Sequence, residues 1–261
     1  MRNDWGKVYT SKWFGGSLVS SKAPTCLLLK DDFTKSYFGY EAEDRYADLT
    51  SDENHHNYYF FQRFKMIIHG KSDAQHKRCY DIKGKTLEAG HVFTRYIKCL
   101  KDSMFQNVES VFPGIRDDDI EYVLTVPAIF GENSKMFLIE ASVKAGIKME
   151  NLTIALEPEA ASIYCQYLKF AKEDTSSPAL GVVKPGTKYM VVDLGGGTAD
   201  ITVHKKCEDN TLEVVLVSGC PSGGKAVDDQ FIQFLSELVG RDAWDNFNGM
   251  HRRISGNHKK F

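Results

Sequence analysis

The chain has 261 residues, 42% hydrophobic and 26% charged, with 33 Lys and Arg set against 35 Asp and Glu for a formal net charge of -2. That is ordinary globular composition, enough for one large domain or two lobes, and its near-neutral balance leaves no field to recruit nucleic acid or an anionic membrane. The longest apolar runs, such as CLLL and VVLV, fall far short of the ~20 residues that span a bilayer.

The N-terminus, MRNDWGKVYTSKWFGG, carries charges where a secretory leader would have its apolar core. The six cysteines, Cys26, Cys79, Cys99, Cys165, Cys207 and Cys220, show no C-x-x-C spacing, so a reducing cytoplasmic setting is expected. PTCLLLK reads as a buried strand, SYFGY as a second, and EAEDRYADL as a polar helix leading into the aromatic stretch YYFFQRFKMIIHGK, whose structure the pattern leaves open. From Thr86 to Phe112 the apolar residues Phe93, Ile97, Leu100, Met104, Val108 and Val111 recur at three and four, which predicts one long amphipathic helix stopped by Pro113-Gly114.

EYVLTVPAIF predicts a strand ending at Pro127, followed by a helix over NSKMFLIEASVKAGI that Asn133 or Ser134 can cap and Gly146 can end. LTIALE is then a strand running into the helix PEAASIYCQYLKFAKE, with Pro158 where a first turn tolerates it. EDTSSPALGVVKPGT, rich in turn formers and without periodicity, is the candidate for a crossing between lobes or a surface excursion. KYMVVDL, ADITVHKK and TLEVVLVSG follow as three strands whose short connections imply an antiparallel meander. The basic end, HRRISGNHKKF, reads as a frayed tail.

Between the first two of those strands stands DLGGGTAD, residues 193–200. Glycine weakens strands, so three in a row need a reason. The common phosphate loops lead from a strand into a helix, whereas here a strand follows, which leaves a tight hairpin whose backbone N–H groups form a nest. Glycine would permit it by taking positive φ and by letting an anion approach without a Cβ in the way. Thr198 adds a hydroxyl, while Asp193 and Asp200 flank the turn and can hold hydrated Mg²⁺. The alternative is a glycine-rich turn with solvated aspartates.

DLGGGTAD resembles the second phosphate motif of the seventy-kilodalton heat-shock chaperones, within the actin and sugar-kinase ATPase superfamily. YVLTVPAIF resembles the strand ending in that family's switch proline, ALEPEAASIYC its connecting segment, and SGCPSGGKAVDDQF its later glycine-pair turn into a helix. With KAPTCLLLKDD, SYFGYEAEDRY and FQRFKMIIH, the chain is similar to the divergent 12A and 12B branch of that family over roughly Trp13 to Asn248.

The resemblance implies an α/β, actin-like (ribonuclease H-like) ATPase fold: most of lobe I over residues 1–186 and the start of lobe II over 187–261. It implies ATP or ADP and Mg²⁺ as ligands and client or co-chaperone proteins as partners. Gly195, Gly196, Gly197 and Thr198 would contact the β- and γ-phosphates, and Asp193 and Asp200 would serve the Mg²⁺ through water. Glu157 would face the same cleft, where open α/β sheets put ligands. Lys65 would position the attacking water and offset charge on the γ-phosphoryl.

Each transferred residue also has a plain reading. Lys65 can be a surface lysine beside aromatic rings, Pro127 a strand terminator, and Glu157 a helix-entry carboxylate on the α-helix dipole. The family's arginine downstream of the switch proline is Lys135 here, which keeps the charge but loses the planar fork. The family's opening D-x-G-T-[TS] loop is absent, and so is its adenine-side G-G-x-x-x-x-P turn, so weak or no hydrolysis is expected. A non-catalytic interaction module and a sugar-kinase-like relative stand as alternatives. His69, His76 and Cys79 lack a fourth ligand at zinc spacing and read as a solvated loop, and Cys165 as a buried helix thiol.

Overall fold

Strand-forming runs and amphipathic stripes settle into small sheets and the helices that join them in the computed structural model, which describes residues 10–15, 18–52, 54–70, 76–167, 184–209 and 211–247. The chain opens with a hairpin of β1 (Trp13–Gly15) and β2 (Leu18–Ser20). β3 (Cys26–Lys30) then runs between β4 (Ser36–Phe38) and, beyond α1 (Gly39–Ser51), β5 (Tyr58–Gln62), antiparallel to both. Being central and covered on both faces, β3 is a continuous apolar run rather than an alternating one. The aromatic stretch left open by pattern divides at Arg63, whose φ of 53° turns β5 into a 3₁₀ turn over Phe64–Ile68.

β6 (Arg78–Tyr80) and β7 (Thr86–Glu88) form a short antiparallel pair that leads into α2 (Ala89–Val111). The helix therefore starts three residues later than its apolar periodicity predicts, because Thr86–Glu88 pair with β6. It ends where expected: Phe112 caps it and Gly114 takes a φ of 89°. β8 (Tyr122–Val126), α3 (Glu132–Lys144), β9 (Leu152–Leu156) and α4 (Glu157–Tyr167) follow, and β8 pairs parallel with β9. Gly131 occupies the cap of α3 in place of Asn133 or Ser134, because the Ser134 hydroxyl donates across the core to the Ile68 carbonyl at 2.6 Å. Gly146, at φ 90°, terminates it.

The core lies between these elements. Phe64 meets Phe93 edge-on at 5.3 Å, and Phe93 meets Phe137 at 5.2 Å, with Leu27, Leu29, Phe61 and Val126 packed around them. β10 (Lys188–Leu194), β11 (Ala199–Lys206) and β12 (Leu212–Cys220) make the expected antiparallel meander, followed by α5 (Gly224–Val239) and a helical stretch over 241–247. Most of the predicted inter-lobe crossing and the whole basic tail lie outside the described residues. All six cysteines are unpaired, and Cys165 is partly exposed rather than buried. No described helix is long and apolar enough to cross a membrane.

Candidate functional site

The register of β10 on β11 sets Asp193 directly opposite Asp200 and Leu194 opposite Ala199, leaving Gly195–Thr198 as the connecting loop. Directly opposed residues share a face, so both carboxylates stand on the same side of the hairpin. Gly195 N–H donates to the Thr198 carbonyl at 2.9 Å and closes the turn.

The three glycines do not take positive φ, contrary to the expectation from their sequence. Their bareness serves close approach instead. A Cβ on Gly197 would stand 3.3 Å from Met66 Cγ, and one on Gly223 would stand 2.7 Å from the Gly196 carbonyl carbon. That second contact reflects a lock between the loop and α5. The amides of Gly224, Lys225 and Gly223 donate to the carbonyls of Gly195 (3.0 Å), Gly196 (3.0 Å) and Gly197 (3.3 Å).

In a trans peptide the C=O and the following N–H point in opposite directions. With the carbonyls of Gly195, Gly196 and Gly197 turned to α5, the N–H groups of Gly196, Gly197 and Thr198 are turned away from it. None of the three amides donates to another described residue. Thr198 is buried at the rim, while a Cβ added at Gly196 would meet no atom within 4 Å.

Asp200 is 1% exposed. Its Oδ1 accepts from Ile129 N–H at 3.2 Å, tying the hairpin to the loop after Pro127, and its buried Oδ2 has no partner. Asp193 is half-buried. Two opposed carboxylates, one with an unserved oxygen, suit a hard cation held through water. Among the described residues no three His, Cys, Asp or Glu side chains converge on a metal position, so these two would rely on water and ligand oxygens to complete a shell.

Lys65 and Glu157 are 92 residues apart in the chain and form an ion pair. Lys65 is carried by the 3₁₀ turn after Arg63, and Glu157 follows β9 at the carboxyl end of the parallel pair, beside buried Pro127, which follows β8. Met66, next to Lys65, touches Gly197, so the turn bearing the lysine reaches the glycine loop through its neighbour. Lys135 pairs with Glu132 on the first turn of α3.

Sequence reasoning singled out the Gly223-Gly224 turn without its role as the lock on the hairpin, and it missed Met66 and Ile129 altogether. A glycine pair at a helix start following a glycine-rich hairpin was the available signal for the lock. Met66 and Ile129 left no signal, because each acts through a tertiary contact.

Residues 54–251 match the Hsp70 protein family model. The chain is 32% identical to human heat shock 70 kDa protein 12B over 283 residues, covering 88% of this chain and 41% of that protein. It is 29% identical to heat shock 70 kDa protein 12A of Mus musculus, covering 90% of this chain and 42% of the relative. It is 33% identical to the chaperone protein DnaK of Endomicrobium trichonymphae over 116 residues, 44% of this chain and 16% of the relative. The chain thus spans about two-fifths of the length of the first two. The family match carries an actin-like ATPase fold, and the chain belongs to the Hsp70 family.

Proposed function

We propose that the chain grips the phosphates of ATP or ADP at the Gly195–Thr198 loop, as one jaw of a nucleotide clamp in a chaperone-like protein. The observation that carries this reading is the loop's polarity: α5 takes three successive carbonyls, which leaves three amides on the opposite edge. Backbone N–H groups so arranged form an anion-binding concavity. Residues 1–186 are assigned to lobe I and 187–261 to the start of lobe II.

Lys65 is assigned to orienting the attacking water and offsetting charge on the γ-phosphoryl, with Glu157 holding the ammonium in place. Asp193 and Asp200 are assigned to the Mg²⁺ through its waters, the buried Oδ2 of Asp200 supplying the unserved acceptor. Mg²⁺ bound there would neutralise charge on the phosphate oxygens. Phosphoryl transfer needs positioning from both lobes, and these 261 residues carry no D-x-G-T-[TS] loop. A polypeptide of these residues is therefore expected to bind Mg-ATP weakly and to hydrolyse it slowly or not at all.

Isothermal titration of Mg-ATP into that polypeptide tests the assignment. Weak heats are expected, lost in Gly196→Val, whose added side chain meets no protein atom as far as its Cβ is concerned, and in Asp193→Asn. Unchanged affinity in both variants would place the nucleotide elsewhere, and micromolar affinity in the unaltered chain would overturn the weak-binding reading.

A second reading, a non-catalytic protein-interaction module, draws on the apolar side chains left open on β10 and α5, among them Leu194 (75% exposed) and Leu238 (70%). Absence of any nucleotide heat from a folded chain would favour it.

A further inference from the structure

Away from the hairpin, a groove of about 880 Å³ opens between α2, α3 and the β6–β7 pair. From α2 it is lined by His91, Thr94, Arg95 and Lys98, whose spacing of three and four puts them on one face. Glu140 and Lys144 line it from α3. The two helices run alongside each other in the same direction, with Phe93 against Phe137 at one level and Lys101 Nζ donating to the Gly146 carbonyl at another. Lys98 and Lys144 consequently share one end of the groove. Arg78 and Glu88 belong to the other, where α2 begins.

The permanently charged lining is four cations, Arg78, Arg95, Lys98 and Lys144, against two carboxylates, Glu88 and Glu140. Some of these are already engaged: Arg78 donates to Thr86 and Lys98 pairs with Asp102 at 2.9 Å. Arg95 is different. It is half-buried, and neither it nor exposed Lys144 forms a hydrogen bond or ion pair with another described residue. Beside it the buried Oγ1 of Thr94 also lacks a partner. A partly desolvated guanidinium with unserved donors is costly alone and is satisfied best by a carboxylate, which its planar fork binds bidentately.

We propose that this groove docks an acidic peptide segment of a partner protein, with one carboxylate on Arg95 and a second at the Lys98–Lys144 end. From Arg95 to Lys98 the helix rises about 4.5 Å, and Lys144 lies across the groove from them on α3. Successive same-side residues of a strand are about 7 Å apart, so acidic residues at alternate positions reach both cationic points. The cations are spread along the groove and interrupted by Glu140 rather than converging on one point, which favours a peptide over a compact anion. This site is separate from the glycine hairpin and stands independently of the nucleotide assignment.

Fluorescence anisotropy of a labelled peptide of alternating Glu and Gly, titrated with the 261-residue chain at low salt, tests the proposal. Saturable binding is expected, absent for the Gln-for-Glu peptide and weakening as salt rises. Arg95→Gln with Lys144→Glu should weaken it at least tenfold, while Gly196→Val should leave it unchanged. Lys144→Glu alone carries the test if the double variant does not fold, because Lys144 is exposed. No saturable binding, equal binding by the charge variants, or displacement by inorganic phosphate as effective as by unlabelled peptide would overturn the assignment.

Discussion

The region from β3 to α4 and the meander that follows it are built on opposite principles. In the first, consecutive residues Leu27, Leu28 and Leu29 are each 0% exposed, and Phe61 opposite Leu27 is equally buried. In the second, the most buried face of β11 consists of Asp200, Thr202 and His204, at 1%, 0% and 0% exposure, while apolar Met190, Val192 and Leu194 stand open on β10. α5 has no buried residue among those described, and Phe231 and Phe234 are 60% and 57% exposed. One region is held by apolar burial. The other is held by strand register, by glycines that let backbones touch, and by polar groups that must find partners.

The largest effect expected from this contrast comes from phenylalanine truncation. Phe61→Ala removes a fully buried ring on β5, opposite Leu27 of β3, and should cost about 3–5 kcal/mol, from lost transfer energy and the cavity left behind. Phe231→Ala, on the open face of α5, should change stability by no more than about 0.5 kcal/mol. Urea unfolding of both variants with matched m-values measures the difference. Comparable losses would mean that α5 is covered in solution and would erase the contrast.

The next effect reverses the ranking, because the meander should be the region that is sensitive at glycine. In Gly223→Ala the new Cβ would lie 2.7 Å from the carbonyl carbon and 2.8 Å from the oxygen of Gly196, backbone atoms that cannot rotate away. Overpacking of this kind costs about 1–3 kcal/mol. Gly196→Ala meets nothing within 4 Å and has no positive φ to strain, so its cost should stay within about 0.5 kcal/mol. Thermal melts of the two variants separate the cases, and equal melting temperatures would remove the lock between the loop and α5.

What could be read from the sequence follows the same division. Apolar runs and helical periodicity located β3, α2 and the alternation of β8, α3, β9 and α4, since burial leaves a pattern that survives in one dimension. Order along the motif located the hairpin and its opposed Asp193 and Asp200. The reason for the glycines was not legible, since their φ values and their contacts with Met66 and Gly223 are set by segments over a hundred residues upstream and about thirty downstream. The start of α2 was misplaced because β7 has no apolar signature of its own and forms only by pairing with Arg78–Tyr80. The Lys65–Glu157 pair could be named as two residues from the family resemblance, but their contact depends on the αL turn at Arg63, a conformation that arginine does not announce.

The smallest effect is a dependence on pH centred on the buried polar face of the meander. His204 is fully buried, its Nε2 shares a hydrogen bond with Thr202 Oγ1 at 2.8 Å, and its Nδ1 has no partner. Burial pushes its pKa below the ordinary 6.5, opposed only in part by the charge of Glu159. The folded chain therefore binds this proton less readily than the unfolded chain does. As pH falls below 6.5, the unfolded state takes up the proton first and stability declines until the folded-state pKa is also passed, whereas above 6.5 the full contribution is present. A single group of this kind should move the melting temperature by a few degrees at most between pH 7.5 and 5.5. Because His204 lies on β11, this histidine-linked dependence belongs to the meander. His204→Gln, which keeps a polar side chain but cannot titrate, should flatten the acid limb of the melting curve relative to the unaltered chain, and an undiminished acid limb in that variant would assign the dependence to the carboxylates instead.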